Sequence, residues 1–362
     1  MAERDVTRRE FVRDSAAVAA VVAVGGLTAS GAPADTSKIL NYNKDMEYRP
    51  LGDTGLMISA VCLGGHWKRI DTQVPGVLKT RSWLSADINS PGFRKNRRDV
   101  VTRCIERGVN YIDACTWQEV MAYSEALRGR RQQMHLGFSW YQEEMRNARF
   151  RTCKALLGTL DKGMQKAKLD YVDLWRITMH ERSSKHSKAE VDEMMEALAA
   201  AKKSGKVRWT GLSSHDRKHI KWMIETYPDV IDVIVTPYTA KTKQVPKDSL
   251  FDAIKKHNVG FYGIKPFASN SIFKGDSSPG NPHAEEDDRR ARLAIRYVLQ
   301  NPVLTAPIPG LINTHQVDNV ALAVKERRQL DLAELQELEK MMDEAWAKLP
   351  PDYQWLKDWE WV

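Results

Sequence analysis

Cysteine is scarce in this chain: four in 362 residues, at positions 62, 104, 115 and 153, with no C-x-x-C pair. That argues against a zinc or iron–sulfur site built on paired cysteines, and no metal is expected. A chain of this length has core enough to do without disulfides, so buried free thiols are expected, with Cys115 the one to watch. No G-x-G-x-x-G follows the first candidate strand, which removes the usual dinucleotide fingerprint of an open doubly wound sheet. Long apolar runs are missing as well. The mild run from Ala16 to Leu27 has 12 residues, too few for a hydrocarbon core of ~30 Å, so no stable membrane span is expected. Nor is there a one-signed charge block. The net charge of +8 comes from 55 basic and 47 acidic residues that interleave, so no nucleic-acid partner is expected.

What is present begins with a separate N-terminus. Thr7-Arg8-Arg9-Glu10-Phe11-Val12-Arg13 precedes the apolar run, and Ala32-Pro33-Ala34 supplies a small-x-small cleavage pattern. These three regions in this order predict an export signal over 1–34. The paired arginines resemble a twin-arginine signal. That resemblance implies the twin-arginine translocation machinery as a partner, folding in the cytoplasm, and a periplasmic or other extracytoplasmic destination. Residues 35–47 read as a linker. Four bases (Arg4, Arg8, Arg9, Arg13) balance four acids (Glu3, Asp5, Glu10, Asp14) in the signal, so the whole excess belongs to the mature protein.

From Tyr48 onward short β-branched runs alternate with amphipathic ones. Strands are predicted at 58–63, 109–113, 134–138, 171–178, 207–213, 230–236, 260–265 and 303–308. Helical spacing marks 149–166, 188–203, 248–256 and 287–300. Gly108, Gly205 and Gly260 stand where helix C-cap glycines belong. Eightfold alternation predicts a closed (β/α)8 barrel over 48–347. The long connection 68–96 would overhang its C-terminal face. The tail 348–362 holds Trp355, Trp359 and Trp361; one helical turn would stack the first two.

Several segments carry a family resemblance together. Tyr48-Arg49-Pro50-Leu51-Gly52-Asp53-Thr54-Gly55-Leu56 resembles the opening β-hairpin of the aldo-keto reductases. Gly108-Val109-Asn110-Tyr111-Ile112-Asp113, Leu169-Asp170-Tyr171-Val172-Asp173-Leu174, Gly205-Lys206-Val207-Arg208, Lys265-Pro266-Phe267 and Ile308-Pro309-Gly310 resemble later strands in order. The resemblance covers about 48–325. It implies a (β/α)8 TIM barrel binding NADP(H) or NAD(H) across its C-terminal face. It also implies hydride transfer to a carbonyl, with a tyrosine general acid tuned by a lysine and an aspartate and a histidine orienting the substrate.

Asp113 matches the aspartate. The tyrosine position is Gln118, with Tyr123 as an alternative reached by a short insertion. The lysine position is Ser139 and the histidine position Thr178. Strand alternation puts Arg176, Thr178 and His180 on one face if the strand runs to 180. If that face points inward, Arg176 meets Asp113 from an alternate strand, because a charge inside a barrel must be paired. If it points outward, the Arg176 stem packs between helices. His180 is the favoured titratable group at the mouth, His66 a competitor, and His135 structural. For the cofactor, the resemblance places Ser213 and Ser214 at the nicotinamide amide, and Lys265 and the Gly310–Asn319 loop at the phosphates. Asn313 and Gln316 stand at a helix N-terminus suited to phosphate. No Arg or Lys lies between Gly310 and Asn319 to select a 2′-phosphate. Three readings follow: an exported oxidoreductase on a carbonyl or alcohol, sugar-derived or otherwise; a non-redox lyase or isomerase acting on a carbohydrate; or a catalytically dead ligand-binding member.

Overall fold

A computed structural model describes residues 35–326 and 328–362; the export signal expected over 1–34 lies outside the described residues. Residues 39–362 form one compact unit. The hairpin strands are β1 (Tyr48–Pro50) and β2 (Met57–Ser59). Eight parallel strands follow: β3 (Leu63–Gly64), β4 (Tyr111–Ala114), β5 (His135–Phe138), β6 (Val172–Thr178), β7 (Val207–Ser213), β8 (Val233–Pro237), β9 (Gly260–Ile264) and β10 (Ala306–Ile308). They hydrogen-bond in chain order. Cys62 and Gly64 N–H groups donate to Pro307 and Pro309 carbonyls at 3.1 and 2.8 Å, which closes β3 onto β10. This is the expected (β/α)8 barrel.

The outer helices are α1 (Pro91–Glu106), α2 (Trp117–Ala126), α3 (Cys153–Ala167), α4 (Lys188–Lys203), α5 (Arg217–Thr226), α6 (Leu250–His257), α7 (Ala284–Val298), α8 (Thr314–Lys325) and α9 (Leu332–Ala347). Their ends follow from sequence. Ser90 caps α1 with Pro91 at its first position, where a missing N–H is harmless. Ser187 and Glu190 form a capping box on α4, and Lys202 and Lys203 face its negative end.

Two local expectations change. The stretch 58–63 is not one strand. β2 pairs with β1 in the hairpin, and Ser59 Oγ donates to Val61 O at 2.8 Å, turning the chain into β3. The residue ending α6 in the left-handed region is Asn258 (φ 47), not Gly260. Gly260 is small for another reason: a Cβ there would lie 2.5 Å from Leu51 Cδ1, because the hairpin plugs that end of the barrel. Leu51, Ile58, Tyr111, Leu174, Val233 and Tyr262 belong to the apolar cluster filling the interior.

The tail runs as a 3-10 helix, Pro351–Trp359. At three residues per turn, positions four apart diverge. Trp355 therefore stacks on His215 (4.4 Å between rings), while Trp359 lies over Arg182; the two tryptophans take different partners. Val362 N–H donates to Lys243 O at 2.8 Å, and Arg217 donates to Trp359 O at 3.2 Å.

Candidate active site

A cavity of about 810 Å³ opens at the C-terminal ends of the strands. Asp113, Arg176, Thr178 and Ser213 form part of its floor. His66, Trp83, Cys115 and Glu119 form one side, and Lys265, Gly310 and Gln316 contribute to the phosphate-loop side. Tyr353 and Trp355 of the tail also face it.

Arg176 Nε donates to Asp113 Oδ1 at 2.8 Å, and Nη2 donates to Oδ2. The inward alternative for Arg176 is the one found. β5 makes room: a Cβ at Gly137, the register partner of Asp113, would lie 3.0 Å from Asp113 Oδ1. Burial alone would push the Arg176 guanidinium down, but the Asp113 charge outweighs it and holds it charged.

Arg176 Nη1 donates to Thr178 Oγ1 (2.9 Å), which shares a 2.8 Å bond with Ser139 Oγ, which donates to Glu144 Oε2 (2.6 Å). Glu144 is fully buried and also accepts from Trp140 N, Thr178 N and Trp175 Nε1. Burial raises its pKa even so, against those donors. Glu144→Leu would strip four donors of their acceptor. The expected result is a loss of roughly 4 kcal/mol or more, read from the urea midpoint.

On the side formed by β3 and α2, His66 has a left-handed backbone (φ 57), and its ring stacks on Trp83 at 4.3 Å. His66 Nδ1 lies 2.9 Å from Glu119 Oε1, and the His66 backbone N–H donates to the same oxygen at 2.6 Å. Cys115 N–H donates to Glu119 Oε2 at 2.7 Å, and Cys115 Sγ lies 3.8 Å from His66 Nδ1. Burial pushes the Glu119 carboxyl up, but the His66 ring and the backbone donors outweigh it, so it stays below its ordinary value. Burial pushes His66 down past the upward pull of Glu119.

Where the tail meets the cavity, Lys68 Nζ donates to Ser269 Oγ (2.7 Å) and to Tyr353 Oη, and its ammonium sits 3.7 Å from the Tyr353 ring centre. Burial, then the Arg69 charge, push Lys68 down to about 8. Lys265 approaches the same ring, and its pKa is lowered by burial. His215 has a buried Nδ1 with no hydrogen-bond partner among the described residues.

Of the residues singled out in the sequence, Asp113, Arg176, Ser213, Lys265, Gly310, Asn313, Gln316 and Asn319 all line this cavity. Asn313 Oδ1 accepts from Gln316 N (2.8 Å) and caps α8, while Asn319 is held by Arg292 Nη1 at 2.7 Å. Four others do not line it. Gln118 donates to Leu84 O at 3.0 Å, because the helical turn that aims Glu119 inward turns its neighbour aside. Tyr123 is fully buried behind β3, with its hydroxyl on Gly64 O at 2.8 Å. Ser214 Oγ donates to the His180 and Glu181 carbonyls at 3.1 Å, away from the mouth. β6 stops at Thr178, so alternation ends there and His180 leaves the barrel face. Glu119, Glu144, His215 and Lys68 were not anticipated.

His180 sits instead beside His186, to whose Nε2 its N–H donates at 3.4 Å. Burial, then Arg151, push His186 down to about 4. The unfolded chain then binds more protons than the native state between about pH 4 and 6.5. Stability is therefore complete above that window and lost as pH falls through it, by on the order of 3 kcal/mol at its foot. His186→Gln is expected to flatten the fall in Tm between pH 6.5 and 4.5.

A family model described as the aldo/keto reductase family matches residues 93–292, more than half of the chain. L-Galactose dehydrogenase of Arabidopsis thaliana is 21% identical over 321 residues, covering 82% of this chain and 95% of that one. The solved aldo/keto reductase from Klebsiella pneumoniae in complex with NADP and acetate superposes with TM-score 0.60 at 16% identity, over 82% of this chain and 95% of the other. A holo aldo-keto reductase from Bacillus halodurans gives 0.57 at 20% identity, over 82% and 96%.

Proposed function

This chain belongs to the aldo/keto reductase family, a family of NAD(P)-dependent oxidoreductases, and from that premise we propose that it exchanges a hydride between a nicotinamide dinucleotide and a small hydroxyl or carbonyl compound. The observation that carries the reading is the Arg176–Asp113 pair on the cavity floor, next to Thr178 and Ser213. Where the family resemblance implies Tyr, Lys and His, this chain has Gln118, Ser139 and Thr178. Its floor keeps a cation on Thr178, which orients a substrate oxygen and stabilises charge developing on it.

The donor set suits an anionic dinucleotide. Lys265 stands free of carboxylate ion pairs within 4 Å among the described residues, and the capped N-terminus of α8 faces the same cavity. The buried, unpartnered His215 Nδ1 offers a further polar contact there. Lys265, Asn313, Gln316 and Asn319 would hold the phosphates, and Ser213 the nicotinamide amide. Such a group, when bound, supplies or accepts the hydride. Either NADP(H) or NAD(H) fits, since Arg292 is taken up by Asn319 and Glu326.

A sugar-derived substrate is supported by the polar Arg146–Glu181 pair on the cavity wall near Tyr141, and by the name of the Arabidopsis relative. The Arg8-Arg9 pattern supports export by the twin-arginine route, with action outside the cytoplasm; among the described residues no helix is long and apolar enough to cross a membrane. Fractionation of the wild type against Arg8→Lys/Arg9→Lys tests that part, and equal export of both would remove it. Fluorescence titration with NADPH and NADH tests the chemistry. Saturable binding that Lys265→Ala weakens is expected; no binding at millimolar cofactor overturns the redox reading.

A further inference from the structure

With Gln118 and Tyr123 turned away from the cavity, the proton has no evident carrier at the family position. We propose that His66, oriented by Glu119, is the group that exchanges the substrate proton, in place of a tyrosine. The inference rests on the redox reading above and adds the identity of its acid–base group.

The geometry is that of a histidine held by a carboxylate. Glu119 is fixed before it meets the ring, by the N–H groups of His66 and Cys115. With both oxygens engaged and ionised, Glu119 can only accept, so the 2.9 Å contact makes Nδ1 the donor and leaves Nε2 as the basic nitrogen. Nε2 has no hydrogen-bond partner among the described residues, and about a third of the His66 side chain is exposed toward the cavity. Trp83 stacked on one face sets the ring plane. Gly65 is part of the device: a Cβ there would lie 2.0 Å from Glu119 Oε1. The carboxylate reaches the ring only because that side chain is missing.

In the oxidising direction the substrate O–H bond breaks and its proton passes to His66 Nε2. The adjoining C–H bond breaks, its electron pair leaves as hydride to an oxidised nicotinamide dinucleotide, and the C=O bond is completed. The reverse direction needs Nε2 protonated. The groups facing the ring are Glu119 from α2, Cys115 after β4, Lys68 on its own loop and Lys265 after β9; burial, then the two lysines, outweigh the pull of Glu119 and hold the ring below its ordinary value. Oxidation is therefore expected to rise with pH through a value below 6.5 and then level, while reduction falls over the same range.

The test joins kinetics to a readout that needs no turnover. His66→Gln should lower kcat for alcohol oxidation about 10²-fold or more, with nicotinamide affinity unchanged in a fluorescence titration. Glu119→Gln should lower the His66 pKa seen by NMR in the cofactor-free protein, and shift the pH profile of oxidation with it. Unchanged kcat in His66→Gln overturns the inference. So does a His66 titration indifferent to Glu119→Gln, or stoichiometric metal in the purified protein, which would take Nδ1 as a ligand. If the wild type binds no dinucleotide, the redox reading fails, and the proton role proposed for His66 in that reaction falls with it. The NMR titration still separates that failure from a wrong account of the histidine–carboxylate pair.

Discussion

Replacing Arg176 by methionine is expected to destabilise the protein by about 3–5 kcal/mol and to abolish turnover. The Arg176 and Asp113 side chains are 3% and 7% exposed, so neither charge is relieved by water. Methionine keeps much of the volume and leaves Asp113, among the described residues, with Tyr111 Oη alone, a hydrogen bond of 3.3 Å. The carboxylate then stays ionised at a cost, or takes up a proton, and either outcome weakens the native state. Thr178 loses its donor at the same time, so the chain running to Ser139 and Glu144 loses its positive end. The companion Asp113→Asn/Arg176→Met separates charge from shape. Removing both charges should recover a good part of the urea midpoint without recovering activity, because the oxygen-orienting cation is still gone. Arg176→Lys keeps a charge but not the fork; an intermediate midpoint is expected. A midpoint for Arg176→Met equal to wild type would show that the pair contributes nothing to the fold.

That pair was legible in the sequence as one of two placements open to Arg176, the one that follows if its face of the strand points inward. Strands two apart share a barrel layer, an interior charge needs a partner, and Asp113 was the partner on offer. The eight strands were legible for a similar reason, since alternation of β-branched runs with helical spacing repeats along the chain. The side chains that the mouth uses were harder to read. Trp117, Gln118 and Glu119 are consecutive at the start of α2, and periodicity alone does not fix which one the helix aims inward; the capping of Thr116 onto Glu119 N sets that phase. His180 failed because alternation holds only while the backbone stays extended, and β6 ends at Thr178. Glu144 lies beyond β5 in an irregular stretch that has no period, and Tyr353 reaches Lys68 across 285 positions of sequence. A Gly-Gly pair directly before a histidine was the one available signal for the His66 side. Glycine at 65 marks a place where something must come close, and that something is a carboxylate.

Gly65→Ala turns that close approach into a measurement. A Cβ at 65 would meet Glu119 Oε1, Cδ and Cγ at 2.0, 2.1 and 2.6 Å. Glu119 is fully buried, so it cannot swing away into solvent. Moving it orphans the N–H groups of His66 and Cys115 and releases Nδ1 of the ring. Each buried donor left unpaired costs about 1–3 kcal/mol, so the two together predict a loss of roughly 2–6 kcal/mol. Turnover is expected to fall about 10²-fold or more, since the histidine loses its orientation. Lys265 faces the same ring and Gly310 packs against Gly65 O, so nicotinamide affinity is to be read alongside turnover. The double variant Gly65→Ala/Glu119→Ala decides between a clash and a general loosening. If the damage is the clash, adding Glu119→Ala to Gly65→Ala costs little further stability, far less than Glu119→Ala costs in the wild type. Activity stays low in both, because the carboxylate that holds the ring is gone. If the two losses simply add, residue 65 acts through something other than Glu119.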